Sequence, residues 1–126
     1  MAINISAAVA QKKAAIMAEL PGCAFRASNE LRNAAIEVLG GSRSGRSYGG
    51  HTASAPGEPP AARSGTLRDS WQPCDDGMNP AIESFVPYTW LEYGSPGGMI
   101  KPRPYAEKIK AMAMPAIEAI YRELNR

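Results

Sequence analysis

Few residues in this chain are suited to chemistry. One histidine, His51, and two cysteines, Cys23 and Cys74, are the only candidates for a thiol–imidazole pair. Such a pair needs an imidazole held at fixed reach of the sulfur and a thiol that ionises easily. His51 lies in Gly40–Thr66 (GGSRSGRSYGGHTASAPGEPPAARSGT), where 15 of 27 residues are Gly, Pro or Ser and none is Val, Ile, Leu, Phe, Met or Trp. A segment of that composition cannot bury enough apolar area to offset its ordering entropy, so it gives a general base no fixed platform. Cys23 reads as a thiol at a helix start and Cys74 as one in a turn, both reduced as in a cytosolic protein. A metal set drawn from His51, Cys74, Asp75 and Asp76 would mix soft and hard ligands at no recognised spacing. The glycines match neither a P-loop nor a GxGxxG turn between strand and helix. The sequence predicts no catalytic residue, no cofactor, no metal and no small-molecule substrate.

Residues suited to binding are more numerous. Arg43, Arg46 and Arg63 sit in the Gly-rich segment with Tyr48 among them and Glu58 as the one acid. That pattern suits contact with phosphates or with an acidic protein rim, and equally a linker kept soluble by its charge. PGEPP (56–60) reads as a stiff spacer. The formal net charge of the whole chain is only +2, too small to mark a nucleic-acid binder by itself. Near the C-terminus, Lys108, Lys110, Arg122 and Arg126 alternate with Glu107, Glu118 and Glu123, which describes an ordinary solvated helix face. Six of the nine aromatic residues fall between positions 71 and 105. They are expected to fill a core, with Trp90 set apart as an interface anchor.

The elements that must position these residues follow from periodicity. Ile5, Val9, Ile16 and Leu20 make one helical stripe, with a stop expected at Pro21-Gly22. Ala24, Ala27, Leu31, Ala35 and Val38 make a second, ended by Gly40-Gly41. The many alanines on these faces suggest close packing, with copies of the same chain as one partner. After the loop, 67–72 and 82–86 read as two strands of a loose hairpin across Asp75-Asp76-Gly77. Tyr88–Gly94 reads as a single turn, and a third short strand is expected near Met99-Ile100. Pro104 then opens a C-terminal helix with Ile109, Met112, Ala116, Ile120 and Leu124 on its buried face and a kink or restart at Pro115. The expected fold is α+β: a small antiparallel sheet packed against N-terminal helices and a long C-terminal helix. With 126 residues this is one domain, carrying a flexible loop at about 40–66. No run of about 18 apolar residues is present, so no membrane span is expected, and the N-terminus lacks the pattern of a secretory signal.

Three segments in order, SAPGEPPAARSGTLRDSW, VPYTWLEYGS and KPRPYAEKI, resemble the tail-component family of long-tailed bacteriophages and prophages. These are small neck proteins that act in tail completion or head–tail joining. Gly65, Leu67, Arg68 and Ser70 match the family's Thr-Gly-x-Leu-Arg-x-Ser element, with Ser64 in place of Thr. Tyr88, Glu92 and Gly94 match its Tyr-Ala-x-x-x-Glu-Phe-Gly-Thr element, with Thr89, Tyr93 and Ser95 as conservative departures. Arg103 and Pro104 match its Arg-Pro-Phe element, with Tyr105 for Phe.

The resemblance implies a non-enzymatic structural protein that forms a ring with copies of itself, hexameric in the family, beside neighbouring neck and tail proteins. It implies assembly in the bacterial host cytoplasm and a place in the virion neck, where the loop arginines meet another protein or, transiently, DNA in the lumen. A small nucleic-acid-binding module using the arginine-bearing loop is the alternative. Three expectations go with this reading. Gly41–Ser64 is mobile in an isolated subunit. Glu92 and Arg103 pair beneath the last helix. The isolated chain is a monomer or weak oligomer that closes into a ring at high concentration or with neck partners.

Overall fold

The computed structural model describes residues 1–62 and 65–125. Its longest element is α1, Ser6–Gly40, an unbroken helix of 35 residues, about 50 Å long at 1.5 Å per residue. The expected stop at Pro21-Gly22 does not occur. Pro21 removes one backbone donor, but it stands on an exposed side of the helix, where the carbonyl of Met17 that it leaves unpaired can take water. Met17, Ala18, Glu19 and Leu20 before it favour helix strongly enough to carry the chain through. The glycine pair at 40–41 does end the helix, as expected.

The second long element, α3, spans Ala106–Arg122 and packs antiparallel to the C-terminal half of α1. Ala34, Ala35, Val38 and Leu39 meet Ile109 and Ala113 in the main core. At the other end of the pair, Cys23 and Ala27 meet Ile120 in a smaller cluster that Leu124 helps to cover. Alanines let the two backbones approach closely. Ala24, Ala27, Ala34 and Ala35 are buried within the chain, whereas Ala8, Ala15 and Ala18 of the N-terminal half are exposed. Pro115 is exposed and α3 runs through it as one helix, so of the expected kink or restart the restart does not occur. The buried face of α3 is Ile109, Ala113 and Ile120, with Ile117 partly buried beside them. Met112 lies one step round the helix and is exposed.

The strands are shorter than expected. Residues 66–69 form a one-turn helix, α2 (Thr66–Asp69), which Gly65 opens at φ +78°. This turn drops Leu67 into the main core, and Ser70 Oγ closes it by donating to the Leu67 carbonyl at 2.8 Å. The expected hairpin follows it as β3 (Gln72–Pro73) paired antiparallel with β4 (Ile82–Glu83). The Asp76 carboxylate holds its turn by accepting from the amides of Met78 and Asn79. Buried Ser28 of α1 donates to the Ala24 carbonyl and accepts from the Ala81 amide at 3.0 Å, which fastens the hairpin to the helix. Met99 and Ile100 form no strand. A second two-stranded pair lies inside the Gly-rich segment instead: β1 (Ser47–Tyr48) with β2 (His51–Thr52). The architecture among the described residues is α+β, with two long helices in place of the expected three and two small antiparallel pairs.

Tyr105 joins these layers. Its ring meets Trp71 edge-on with centroids 5.9 Å apart, and its hydroxyl donates to the Thr89 carbonyl at 2.8 Å. Burial, with the Glu92 carboxylate adding to it, pushes the phenol up to about 12. A phenol held above its usual value of about 10 contributes stability that is complete below pH 10 and is lost as pH rises toward 12. Stability should therefore fall by roughly 2–3 kcal/mol between those pH values. Tyr105→Phe should flatten that alkaline limb while costing about 1 kcal/mol at neutral pH. Urea titrations of both proteins at pH 7 to 12 check this, and an equally steep alkaline limb in the variant would count against it.

Candidate functional site

The three motif segments, 54–71, 86–95 and 101–109, are linked through side chains around the N-terminal end of α3. Leu67 shares the main core with Leu39, Tyr105 and Ile109. The residues 87–92 form a 3-10 helix, and its last side chain, Glu92, caps α3 from outside. One Glu92 oxygen accepts from the amides of Tyr105 at 2.6 Å and Ala106 at 3.2 Å. A carboxylate there answers both the unpaired first amides and the positive end of the helix dipole. Gly94 turns the chain back at φ +82°, with the Ile100 carbonyl oxygen 2.6 Å from where a Cβ would stand. Pro104 precedes the helix as part of the lead-in. Arg68 pairs with its neighbour Asp69 at 2.9 Å. This pairing raises the arginine and lowers the acid from their ordinary values. Ser70 Oγ lies 2.6 Å from Ser84 Oγ.

The expected Glu92–Arg103 pair does not form. Glu92 is committed to the helix amides. The Arg103 guanidinium turns the other way, donating to Ser54 Oγ at 2.8 Å and to the Lys101 carbonyl at 2.6 Å. Arg103 thus holds the loop, and the sequence gives no local signal of that because Ser54 is one of several loop serines.

The loop itself is fastened by polar contacts, which composition does not reveal. Arg43 donates to the carbonyls of Val38, Pro59 and Pro60, closing the end of α1 onto the PGEPP spacer. Burial lowers its pKa from the ordinary arginine value, with the Glu58 charge opposing that. Glu58 accepts from the amides of Ala55 and Ser44, the two contacts that lower its own pKa most. Lys108 of α3 donates to the Gly57 carbonyl at 2.7 Å. Arg43 is therefore an internal clasp, not a residue free to meet a partner. Arg46 lies over the ring of Tyr48, 5.3 Å from its centroid, beside the β1–β2 turn, and Tyr48 is exposed. Arg63 lies outside the described residues.

Of the thiols, Cys23 is buried in the smaller core cluster. Cys74 is half-buried, and burial, with Glu83 beside it, raises its pKa. A raised pKa keeps the thiol protonated, the opposite of an activated nucleophile. Among the described residues, no three or more His, Cys, Asp or Glu side chains converge on a point, and no helix is long and apolar enough to cross a membrane.

The most distinctive surface features are two apolar ones. The first is the N-terminal half of α1. Ile5 is 66% and Val9 54% exposed, Met17 is exposed too, and nothing before Cys23 is buried. Of the stripe read as a packing face, Ile16 and Leu20 are half-buried, Ile16 beside Glu123 and Leu124, while Ile5 and Val9 stay exposed. The second is aromatic. Phe85 is 87% and Tyr93 83% exposed, with Tyr88 and Trp90 exposed between them. The expectation that this cluster fills the core holds for Tyr105 and partly for Trp71, and fails for Phe85, Tyr88 and Tyr93, while Trp90, set apart from the core in the sequence reading, is exposed. In a 3-10 helix side chains three apart eclipse. Tyr88 and Leu91 therefore share one side, where with Leu39, Pro60 and Leu67 they line an open groove of about 620 Å³. Trp90 lies one position off that side, as its spacing from Tyr88 and Leu91 suggests.

Comparison of the chain with protein-family models, with curated proteins and with solved structures gives no significant match.

Proposed function

We propose that this chain is a non-enzymatic structural protein of a bacteriophage or prophage neck, acting in tail completion or head–tail joining by forming a ring with copies of itself. The observation that carries the reading is the pair of large apolar surfaces that the fold leaves without a partner, the α1 stripe and the aromatic rim of residues 85–93. Soluble monomers rarely expose apolar patches of this kind unless another surface covers them. The motif resemblance supplies the class. Leu67, Glu92, Gly94, Arg103 and Tyr105, the motif residues with the most specific contacts, serve to build and brace the platform that carries the aromatic rim. On this reading the ring is a hexamer, as in the family it resembles, assembled in the host cytoplasm and placed between head and tail.

The nucleic-acid reading rests on Arg46 and Tyr48 at the exposed hairpin. It is the weaker of the two because Arg43 is spent on backbone carbonyls. A gel shift with short duplex DNA separates them. Salt-sensitive binding lost in Arg46→Ala would favour that module, and its absence the neck protein. The direct test of the neck reading is deletion of the gene from the element that encodes it. Filled heads and unattached tails should accumulate. Normal yields of joined, infectious particles would overturn it.

A further inference from the structure

From the placement of the two apolar surfaces we infer how one subunit meets the next: the N-terminal half of α1 docks on the aromatic rim and groove beside residues 85–93 of a second copy. This rests on the ring-assembly reading above and specifies its interface.

Distance comes first. Leu39 lines the groove and Val9 sits on the stripe, thirty residues earlier in one helix. At 1.5 Å per residue they are about 45 Å apart. The stripe cannot reach the groove of its own chain. If the two surfaces cover one another, they do so between copies, in a head-to-tail contact that closes into a ring when the rotation allows.

Shape and charge favour this pairing over helix-to-helix self-pairing. A helix stripe is a ridge, and the groove between Leu39, Leu67 and Leu91 is a furrow rimmed by Tyr88. Lys13 stands beside Val9, Ile16 and Met17 at the middle of the stripe. Two stripes laid together about this point would bring the Lys13 ammonium against its counterpart. Against the rim it meets aromatic faces, which attract cations, and the exposed carboxylate of Glu83 two residues before Phe85.

Area agrees. At about 200 Å² per aromatic side chain, the exposed parts of Phe85, Tyr88, Trp90 and Tyr93 come to on the order of 500 Å². That is as large as the largest apolar patch of an ordinary monomer, roughly 300–600 Å². With a similar area from the stripe, one contact buries about 1,000 Å², just under the roughly 1,200 Å² where stable interfaces begin. A single contact is therefore weak. A closed ring gives every subunit two, so assembly is cooperative.

Disulfide trapping tests this. In a Cys74→Ser background, one tagged population carries Val9→Cys and another Tyr93→Cys. They are mixed at assembling concentration and oxidised. The expected product is a heterodimer with one chain of each kind. Dimers of the Val9→Cys chain with itself, in place of the heterodimer, would overturn the inference in favour of helix self-pairing. Cross-links from neither site, while light scattering still shows the ring, would overturn the interface and leave the ring reading intact. Failure of any oligomer to form up to millimolar protein would overturn both. As a second readout, Val9→Asp and Tyr93→Ser should each raise the assembly midpoint at least about tenfold with an unchanged circular dichroism spectrum. Wild-type assembly by both variants would contradict the inference.

Discussion

Glu92→Ala is expected to lower the stability of the isolated subunit by about 2–4 kcal/mol, more than any other surface-facing substitution in the chain. The α3 helix has no side-chain cap of its own. Its first amides are served by a carboxylate thirteen residues upstream. Each charge-assisted bond to such an amide contributes roughly 1.5–3 kcal/mol, and the helix dipole adds several tenths more. Removing the carboxylate also releases the 3-10 helix that carries Tyr88 and Trp90, so assembly should fail together with stability. Glu92→Gln keeps an acceptor oxygen but not the charge and should lose about half as much. Urea unfolding followed by circular dichroism measures both. A loss below about 0.5 kcal/mol for alanine, the range of ordinary surface changes, would mean that water replaces the cap.

Leu39→Ala should cost about 3–5 kcal/mol. Among the described residues Leu39 is the largest apolar side chain that is fully enclosed, at 1% exposure. It touches the point where α1, α2 and α3 meet, among Leu67, Tyr105 and Ile109. Shortening it opens a cavity there, and the cost depends on how far Tyr105 and Leu67 can close it. Val9→Ala, thirty residues earlier in the same helix, should change subunit stability by less than about 0.5 kcal/mol. Together these variants separate the half of α1 that holds the fold from the half that serves assembly. Equal destabilisation by the two would show that the N-terminal half packs within the subunit after all.

What could be read in the sequence follows from how local each signal is. The Gly40-Gly41 stop, the turn at Asp76, the 3-10 turn closed by Gly94 and the C-terminal helix all depend on neighbours a few residues away, and all are legible. The motif positions Leu67, Glu92, Gly94 and Tyr105 all make specific contacts, but the work each does is not legible, because the partner lies elsewhere: Glu92 serves Tyr105 and Ala106, and Arg103 serves Ser54. Pro21 misleads because a proline on an exposed helix side loses only one bond, whose carbonyl is open to solvent. Ala24, Ala27 and Ala35 are buried as their stripe suggests, whereas Phe85, Tyr88 and Tyr93, expected in the core, are exposed. Small residues give close helix contact inside the chain, and the large apolar ones are left for the surface. Periodicity marks a face as apolar, but whether the covering surface belongs to the same chain depends on length. α3 has 17 residues to the 35 of α1, so half of the longer helix extends beyond its partner.

Neck assembly on this reading requires the subunit to close into a ring through weak, repeated contacts. Sedimentation velocity of the purified chain from nanomolar to millimolar concentration measures that most directly. The predicted result is a monomer at the dilute end that gives way, over a narrow range, to one discrete closed species of fixed subunit number, with dimers and trimers scarcely populated. A monomer at every concentration, a two-fold dimer as the final state, or an open ladder of growing oligomers would contradict it.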